Sequence, residues 1–303
     1  MIKDVLHELQ TIRDWIRWGA SRFERADLFY GHGTTNAWDD AAVLVLWAVK
    51  LPWSRLADSL DARLTSDERR QVFDFIERRV IEGLPVAYIT GESQFAGLNF
   101  HVSEDVLIPR SPIAELIAKG FEPWLAREPE SILDMCTGSG CIGIACAYAF
   151  PGADVALVDI SVPAVMVATR NIARHNMSPR VQAIESDMFS ALDGQQFDLI
   201  VSNPPYVSEE EYLALPQEYK REPKLGLTSG GDGLEFCHRF LCEAAGHLNS
   251  GGCLIAEVGY SEYALQAAYP DVPFVWLEFE HGGSGVFVFT REQLVEYFPT
   301  KNT

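Results

Sequence analysis

Apolar residues in the first part of the chain recur every three to four positions. Val5, Leu9, Ile12, Ile16 and Phe23 fall close to a 3.6-residue period with charged residues between them, which predicts amphipathic helix. Asn36 is placed to cap a second helix through "AWDDAAVLVLWAV". Asp39 and Asp40 sit in its first turn, where a carboxylate meets the positive end of the helix dipole. Thr65 and Glu68 have capping-box spacing ahead of Val72, Phe73, Ile76 and Val80, and Gly83 then Pro85 close that helix. The period changes over residues 94–109, "QFAGLNFHVSEDVLIP". There Phe95, Leu98, Phe100 and Val102, beside Ser103-Glu104-Asp105, predict a β-hairpin.

From Ser131 onward, strand-like and helix-like runs alternate. The strand-like runs are "SILDM", "DVALVD", "VQAIES", "FDLIVS", "GCLIAEV", "VPFVWLEF" and "GVFVFT". Such alternation predicts an α/β, Rossmann-like fold: a mostly parallel seven-stranded sheet covered by helices. Only "EHGGSG" separates the last two strands, too short for a crossover helix, so an antiparallel edge strand is expected. The chain therefore divides into a helical domain over 1–93, a hairpin linker over 94–112 and an α/β domain over 113–303. No cluster of catalytic side chains appears in the helical domain, so partner recognition is its expected role.

A length of 303 residues accommodates one large domain or two of ordinary size. Hydrophobic content of 48% with 22% charged residues is that of a soluble globular protein. The longest apolar run, residues 41–49, is far short of the roughly 20 residues that span a bilayer. The opening "MIKDVLHELQTIRDW" interrupts its apolar residues with both charge signs, unlike a signal peptide, so a cytoplasmic location is expected and no membrane partner. None of the six cysteines forms a C-x-x-C pair and the seven histidines are scattered, so no metal site is expected. Most of the cysteines are expected to be small buried hydrophobes. Net charge is −19 and uneven: residues 1–110 carry 13 Lys/Arg against 17 Asp/Glu, residues 111–303 carry 11 against 26. An acidic α/β half repels phosphate backbones and favours a basic partner, although the same charge also serves solubility.

The first strand of the α/β half runs into Asp134-Met-Cys-Thr-Gly-Ser-Gly140 and then an apolar helix. Gly138 and Gly140 let backbone pass close to a ligand at the helix N-terminus, where free N–H groups point outward. With Gly143 they satisfy G-x-G-x-x-G, a weak signal for a dinucleotide. Acidic residues close three successive strands: Asp134, Asp159 and Asp187. Asp159 is placed for ribose hydroxyls and Asp187 for the exocyclic amine of adenine. A pyrophosphate beside Asp134 would be repelled. S-adenosylmethionine, with a sulfonium, an ammonium and one carboxylate, suits these acidic surroundings better.

The fourth strand ends on Asn203-Pro204-Pro205-Tyr206. The two prolines stiffen this elbow and Pro204 biases Asn203 away from helical geometry. Asp134-x-x-Thr-Gly-Ser-Gly followed by Asn-Pro-Pro-Tyr resembles S-adenosylmethionine-dependent methyltransferases that modify a planar amide or amine nitrogen. Two branches share the elbow: protein glutamine methyltransferases and adenine exocyclic-amine methyltransferases of nucleic acids. In both, the lone pair of the acceptor NH₂ is delocalised. The Asn203 side-chain oxygen and the Pro204 carbonyl could each accept one of its hydrogens, aiming the nitrogen along the methyl–sulfur axis. Tyr206 could pack on the acceptor plane.

The resemblance to the protein glutamine methyltransferases extends over nearly the whole chain. It includes Tyr88-x-x-Gly91-x-x-x-Phe95, "LIPR" at 107–110 and "EPKLGLTSGGDGL" at 222–234. Pro109-Arg110 is followed by "SPIAELI" rather than an Asp-Thr-Glu type sequence. With "DMCTGSGC", "FYGHGTTNAWDD" and "HGGSGVFVFT", this resembles the ribosomal-protein branch more than the release-factor branch. The resemblance implies a basic protein substrate, large-subunit ribosomal protein three, methylated on a glutamine amide, with S-adenosyl-L-homocysteine as product. It implies cofactor contacts from Cys136, Thr137, Gly138, Ser139, Gly140, Asp159, Asp187 and Met188, and acceptor contacts from Asn203, Pro204, Pro205 and Tyr206. Asp134 and Asn203 are also expected at the cofactor. Phe95 would wall the glutamine pocket or serve as core. Cys136 departs from the glycine of the other branch, which leaves open how closely backbone approaches the cofactor there. A release-factor enzyme, an adenine methyltransferase and a nicotinamide-dependent oxidoreductase remain as alternatives. The charge argues against direct DNA binding.

Overall fold

The computed structural model describes residues 2–299. By internal contacts the chain forms two units, Met1–Glu92 with Pro216–Arg221, and Ser93–Leu215 with Glu222–Thr303.

The first unit is helical: α1 (Ile2–Glu8), α2 (Ile12–Arg25), α3 (Ala37–Ala48), α4 (Leu56–Ser59), α5 (Ser66–Ile81) and α6 (Val86–Thr90). The single period from Val5 to Phe23 is in fact two helices. Thr11 caps the second: its hydroxyl accepts from Asp14 N at 3.2 Å while the Asp14 carboxylate accepts from Thr11 N at 2.9 Å. The apolar spacing runs through this break, so periodicity alone does not reveal it. Asn36 caps α3 by accepting from Asp39 N, and Thr65 with Glu68 forms the capping box of α5. Each such cap contributes on the order of 1 kcal/mol. Trp15, Ile16, Phe23, Ala41, Leu44, Val72 and Ile76 form the buried interior.

Arg79 lies wholly inside this unit. Its Nε donates to Asp40 Oδ2 at 2.9 Å, and a second guanidinium nitrogen donates to the Phe29 carbonyl at 2.8 Å. Glu218, from the returning segment Pro216–Arg221, accepts from Phe29 N at 2.8 Å and stands 3.6 Å from Arg79. A buried guanidinium needs such partners. They also fasten the returning segment to the helices.

The second unit opens on a hairpin, β1 (Glu92–Phe95) and β2 (Leu98–His101). Its turn residues Ala96 and Gly97 both have positive φ, as a tight two-residue hairpin turn requires. The hairpin is shorter than the 94–109 pattern; residues 102–112 instead form a loop leading to α7 (Ile113–Ala118). The sheet strands are β3 (Ser131–Met135), β4 (Asp154–Asp159), β5 (Val181–Glu185), β6 (Phe197–Ser202), β7 (Leu248–Glu257), β8 (Val275–Trp276) and β9 (Val286–Thr290). The helices are α8 (Cys141–Ala149), α9 (Val162–Arg174), α10 (Glu209–Ala214), α11 (Glu235–Glu243), α12 (Glu262–Ala268) and α13 (Arg291–Tyr297).

Strand order is β5-β4-β3-β6-β7-β9-β8. The pairs from β5 to β7 are parallel, and β9 runs antiparallel to both its neighbours. The reversed strand is thus the last one, inserted one place in from the edge, and only two residues of "VPFVWLEF" pair with it. Successive strand residues point to opposite faces. Ile132, Leu199 and Val201 pack with α8 and α9, whereas Leu133 and Ile200 pack with α11 and α13; Phe197 joins the latter because the register shifts between it and Leu199. Strand order reverses at β3, which opens a crevice at the carboxyl ends of β3 and β6. Cys141, Cys146, Cys237 and Cys253 are buried. Among the described residues no helix is long and apolar enough to cross a membrane.

Candidate active site

The loop between β3 and α8 takes three left-handed residues in five: Cys136 (φ 59°), Gly138 (φ 55°) and Gly140 (φ 81°). Glycine adopts this conformation freely, whereas a cysteine there costs roughly 1–2 kcal/mol, so the loop holds Cys136 under tension. Asp134 braces the loop from inside. Its Oδ2 accepts from Thr137 Oγ1 at 2.6 Å and from Gly143 N at 2.8 Å. Its Oδ1 is buried without a partner among the described residues. Burial pushes the Asp134 carboxyl up to about 7, against the pull of those two hydrogen bonds. A Cβ on Gly143 would come 2.1 Å from Leu157 Cδ2, so α8 can approach β4 only through a glycine.

A cavity of about 320 Å³ opens where this loop faces the carboxyl ends of the neighbouring strands. Cys136, Thr137, Gly138 and Ser139 form one wall; a Cβ at Gly138 would meet no atom within 4 Å, so its backbone borders open space. Ser139 Oγ is buried with no partner among the described residues. Asp159, at the end of β4, accepts from Gly138 N and from Ser161 N, both at 2.9 Å. Burial raises its pKa, opposed by these backbone donors. Met188 lies on the wall after β5 with φ 50°. Asp187 beside it pairs with Arg239 at 3.2 Å and is half exposed.

The opposite wall is built from the elbow and from two loops. Asn203 Nδ2 donates to the Arg110 carbonyl at 3.3 Å, which leaves Oδ1 as the acceptor atom of that side chain. The Arg110 guanidinium grips the buried Glu222 carboxylate with two bonds, at 2.9 and 2.7 Å. Glu222 also accepts from Ile108 N at 2.9 Å, so the "LIPR" loop and the "EPKLGL" loop share one clamp. Tyr206 is half-buried with its ring against Gly259, where a Cβ would come within 2.8 Å of it. Its hydroxyl donates to Glu257 Oε1 at 3.2 Å, and Ser111 Oγ donates to Glu257 Oε2 at 2.6 Å.

Of the residues expected at the site, Cys136, Thr137, Gly138, Ser139, Asp159, Asp187, Met188, Asn203 and Pro205 line the cavity. Asp134 and Gly140 stand behind the first wall, as brace and helix cap. Pro204 and Tyr206 do not line the cavity: Pro204 is buried, and Tyr206 packs against the core beside Gly259; Phe95 belongs to the hydrophobic core. The sequence patterns give no role to Glu257, Ser111 or the Arg110–Glu222 pair. One sign of the first was present: a glutamate ends the apolar run "GCLIAEV", at the strand end where α/β sheets bind ligands.

Residues 115–234 match the Methyltransferase small domain family, and residues 14–91 match the PrmC N-terminal domain. The Ribosomal protein uL3 glutamine methyltransferase of Francisella tularensis is 46% identical, over 97% of this chain and 95% of that one. The protein of the same name from Bordetella pertussis is 47% identical, over 95% of this chain and 97% of that one. Among solved structures, the hMettl16 catalytic domain in complex with a MAT2A 3'UTR hairpin superposes with a TM-score of 0.51 over 91% of each chain. At 13% identity that likeness concerns the fold alone.

Proposed function

This chain belongs to the ribosomal protein uL3 glutamine methyltransferases, and we propose that it methylates the side-chain amide of a glutamine in uL3, the large-subunit ribosomal protein three. The observation that carries this reading is the Asn203 side chain on the cavity wall, its NH₂ held by the Arg110 carbonyl so that Oδ1 is presented to an incoming amide. S-adenosylmethionine, when bound, supplies an electrophilic methyl group on sulfur. The first wall fits its polar ends: backbone at Gly138 borders open space, Ser139 Oγ is buried without a geometric hydrogen-bond partner among the described residues, and Asp159 and Asp187 offer carboxylates. We assign it to Cys136, Thr137, Gly138, Ser139, Asp159, Asp187 and Met188, with Asp134 and Gly140 supporting the loop.

At the acceptor, Asn203 Oδ1 and the Pro204 carbonyl take the two amide hydrogens. They hold the nitrogen in line and stabilise the positive charge that grows on it. Pro205 and Tyr206 keep the acceptor plane in place. No base is required before transfer, because the product cation sheds its proton readily. The helical unit serves as the recognition module for the protein substrate, and a substrate of this kind puts the reaction in the cytoplasm. The acidic α/β half, 11 basic against 26 acidic residues, steers a basic ribosomal protein toward the site.

Incubation with methyl-labelled S-adenosylmethionine tests the reading against free uL3, a release factor and adenine-containing nucleic acid. Label on a uL3 glutamine, located by mass spectrometry, is the expected result. Label on nucleic acid alone overturns it.

A further inference from the structure

Glu257 is a buried carboxylate at the carboxyl end of β7, next in the sheet to the strand that carries the elbow. Its two oxygens reach to both sides of the acceptor site. Oε1 takes the Tyr206 hydroxyl, and Oε2 takes the Ser111 hydroxyl. Ser111 directly follows Arg110, whose carbonyl holds the Asn203 amide. One side chain therefore fixes the tyrosine of the elbow and the loop that sets the rotamer of its asparagine. We propose that Glu257 is a positioning residue for methyl transfer, acting through Tyr206 on one arm and through Ser111 and the Arg110 carbonyl on the other. This rests on the reading of the elbow as the amide-binding site.

The ionised carboxylate accepts both hydroxyl protons, whereas the protonated acid must donate to one hydroxyl, which reverses that bond and weakens its hold on that arm. Burial pushes the Glu257 carboxyl up to about 7, opposed by the hydrogen bonds from Ser111 and Tyr206 and by the positive charge of Arg110. Among the described residues, the charged and titratable groups facing it are Tyr206 from the elbow and Arg110 from the loop before α7. Arg110 is also paired with Glu222, which tempers but does not cancel its pull on Glu257. Positioning is therefore complete above pH 7 and declines below it.

The test is the pH profile of kcat for uL3 methylation by the wild type, E257Q and S111A, at S-adenosylmethionine saturating at every pH so that the Asp134 brace of the cofactor loop drops out, with melting temperature and cofactor affinity measured on each. Wild-type kcat should rise through an apparent pKa near 7 to a plateau. E257Q should lose that limb and fall roughly ten- to a hundredfold at the plateau, the range for losing bonds to a charged partner. Its cofactor affinity should be unchanged. S111A, which removes a bond to the ionised form, should retain the limb and move it to higher pH. A limb that persists in E257Q with glutamine still methylated, or one that S111A leaves in place, overturns the inference alone. Absence of glutamine methylation by the wild-type chain overturns the reading beneath it as well.

Discussion

If Asn203 binds the acceptor amide as proposed, replacing it with alanine should separate transfer chemistry from folding and from cofactor binding. In the folded protein the side chain is half-buried and makes one long bond, 3.3 Å, to the Arg110 carbonyl. Losing it costs about 0.5–1 kcal/mol of stability, a drop of no more than about 4 °C in melting temperature for a chain of this size. On the proposed reading, the same side chain accepts a hydrogen in the transition state from a nitrogen that is becoming positive. Removing one such partner typically costs roughly 2.7–4 kcal/mol, or on the order of 10²–10³ in turnover. Asn203→Ala should therefore melt nearly as the wild type and bind S-adenosylmethionine within about twofold of it, yet transfer methyl groups at least about a hundredfold more slowly. Asn203→Asp keeps an oxygen but cannot donate to the Arg110 carbonyl, so it should be impaired as well. Single-turnover transfer of labelled methyl to uL3 gives the rate, and titration calorimetry gives the affinity. Turnover within a few-fold of wild type, or a loss matched by equal loss of cofactor affinity, would refute this assignment of roles.

Asp159→Ala strands the N–H groups of Gly138 and Ser161 and removes an acceptor at the cavity wall, so cofactor binding should weaken by roughly 1–3 kcal/mol by calorimetry. Normal affinity would take Asp159 out of the site. Arg79→Met leaves the Asp40 and Glu218 carboxylates buried without their cation and should lower stability by about 3–5 kcal/mol, read from the urea midpoint. An unchanged midpoint would show that Arg79 does not fasten the returning segment. Gly143→Ala forces a Cβ to 2.1 Å from Leu157 Cδ2 and should cost about 1–3 kcal/mol of overpacking, seen as a lower melting temperature.

Much of this protein is written in short-range patterns. The caps at Asn36 and Thr65, the strands β3, β4 and β6, and the elbow at Asn203 can all be read from windows of a few residues. Helix caps, strand alternation and proline stiffness are local physics, so the sequence by itself determines them. It also determines the glycine loop and the acidic balance that argues for a basic partner. The break at Thr11 lies at the limit of such reading, because apolar spacing continues across it.

What tertiary structure decides is which distant residues meet. Arg110 lies 93 residues from Asn203 and 112 from Glu222, and Ser111 lies 146 from Glu257. No local preference records these pairings. They arise because parallel strands brought side by side through long crossovers place their carboxyl ends, and the loops that follow, around one crevice. The same packing turns Asp134 inward as a brace, puts Phe95 in the core and inserts β9 between β7 and β8. A buried side chain takes its role from what surrounds it, and those surroundings exist only once the sheet has closed.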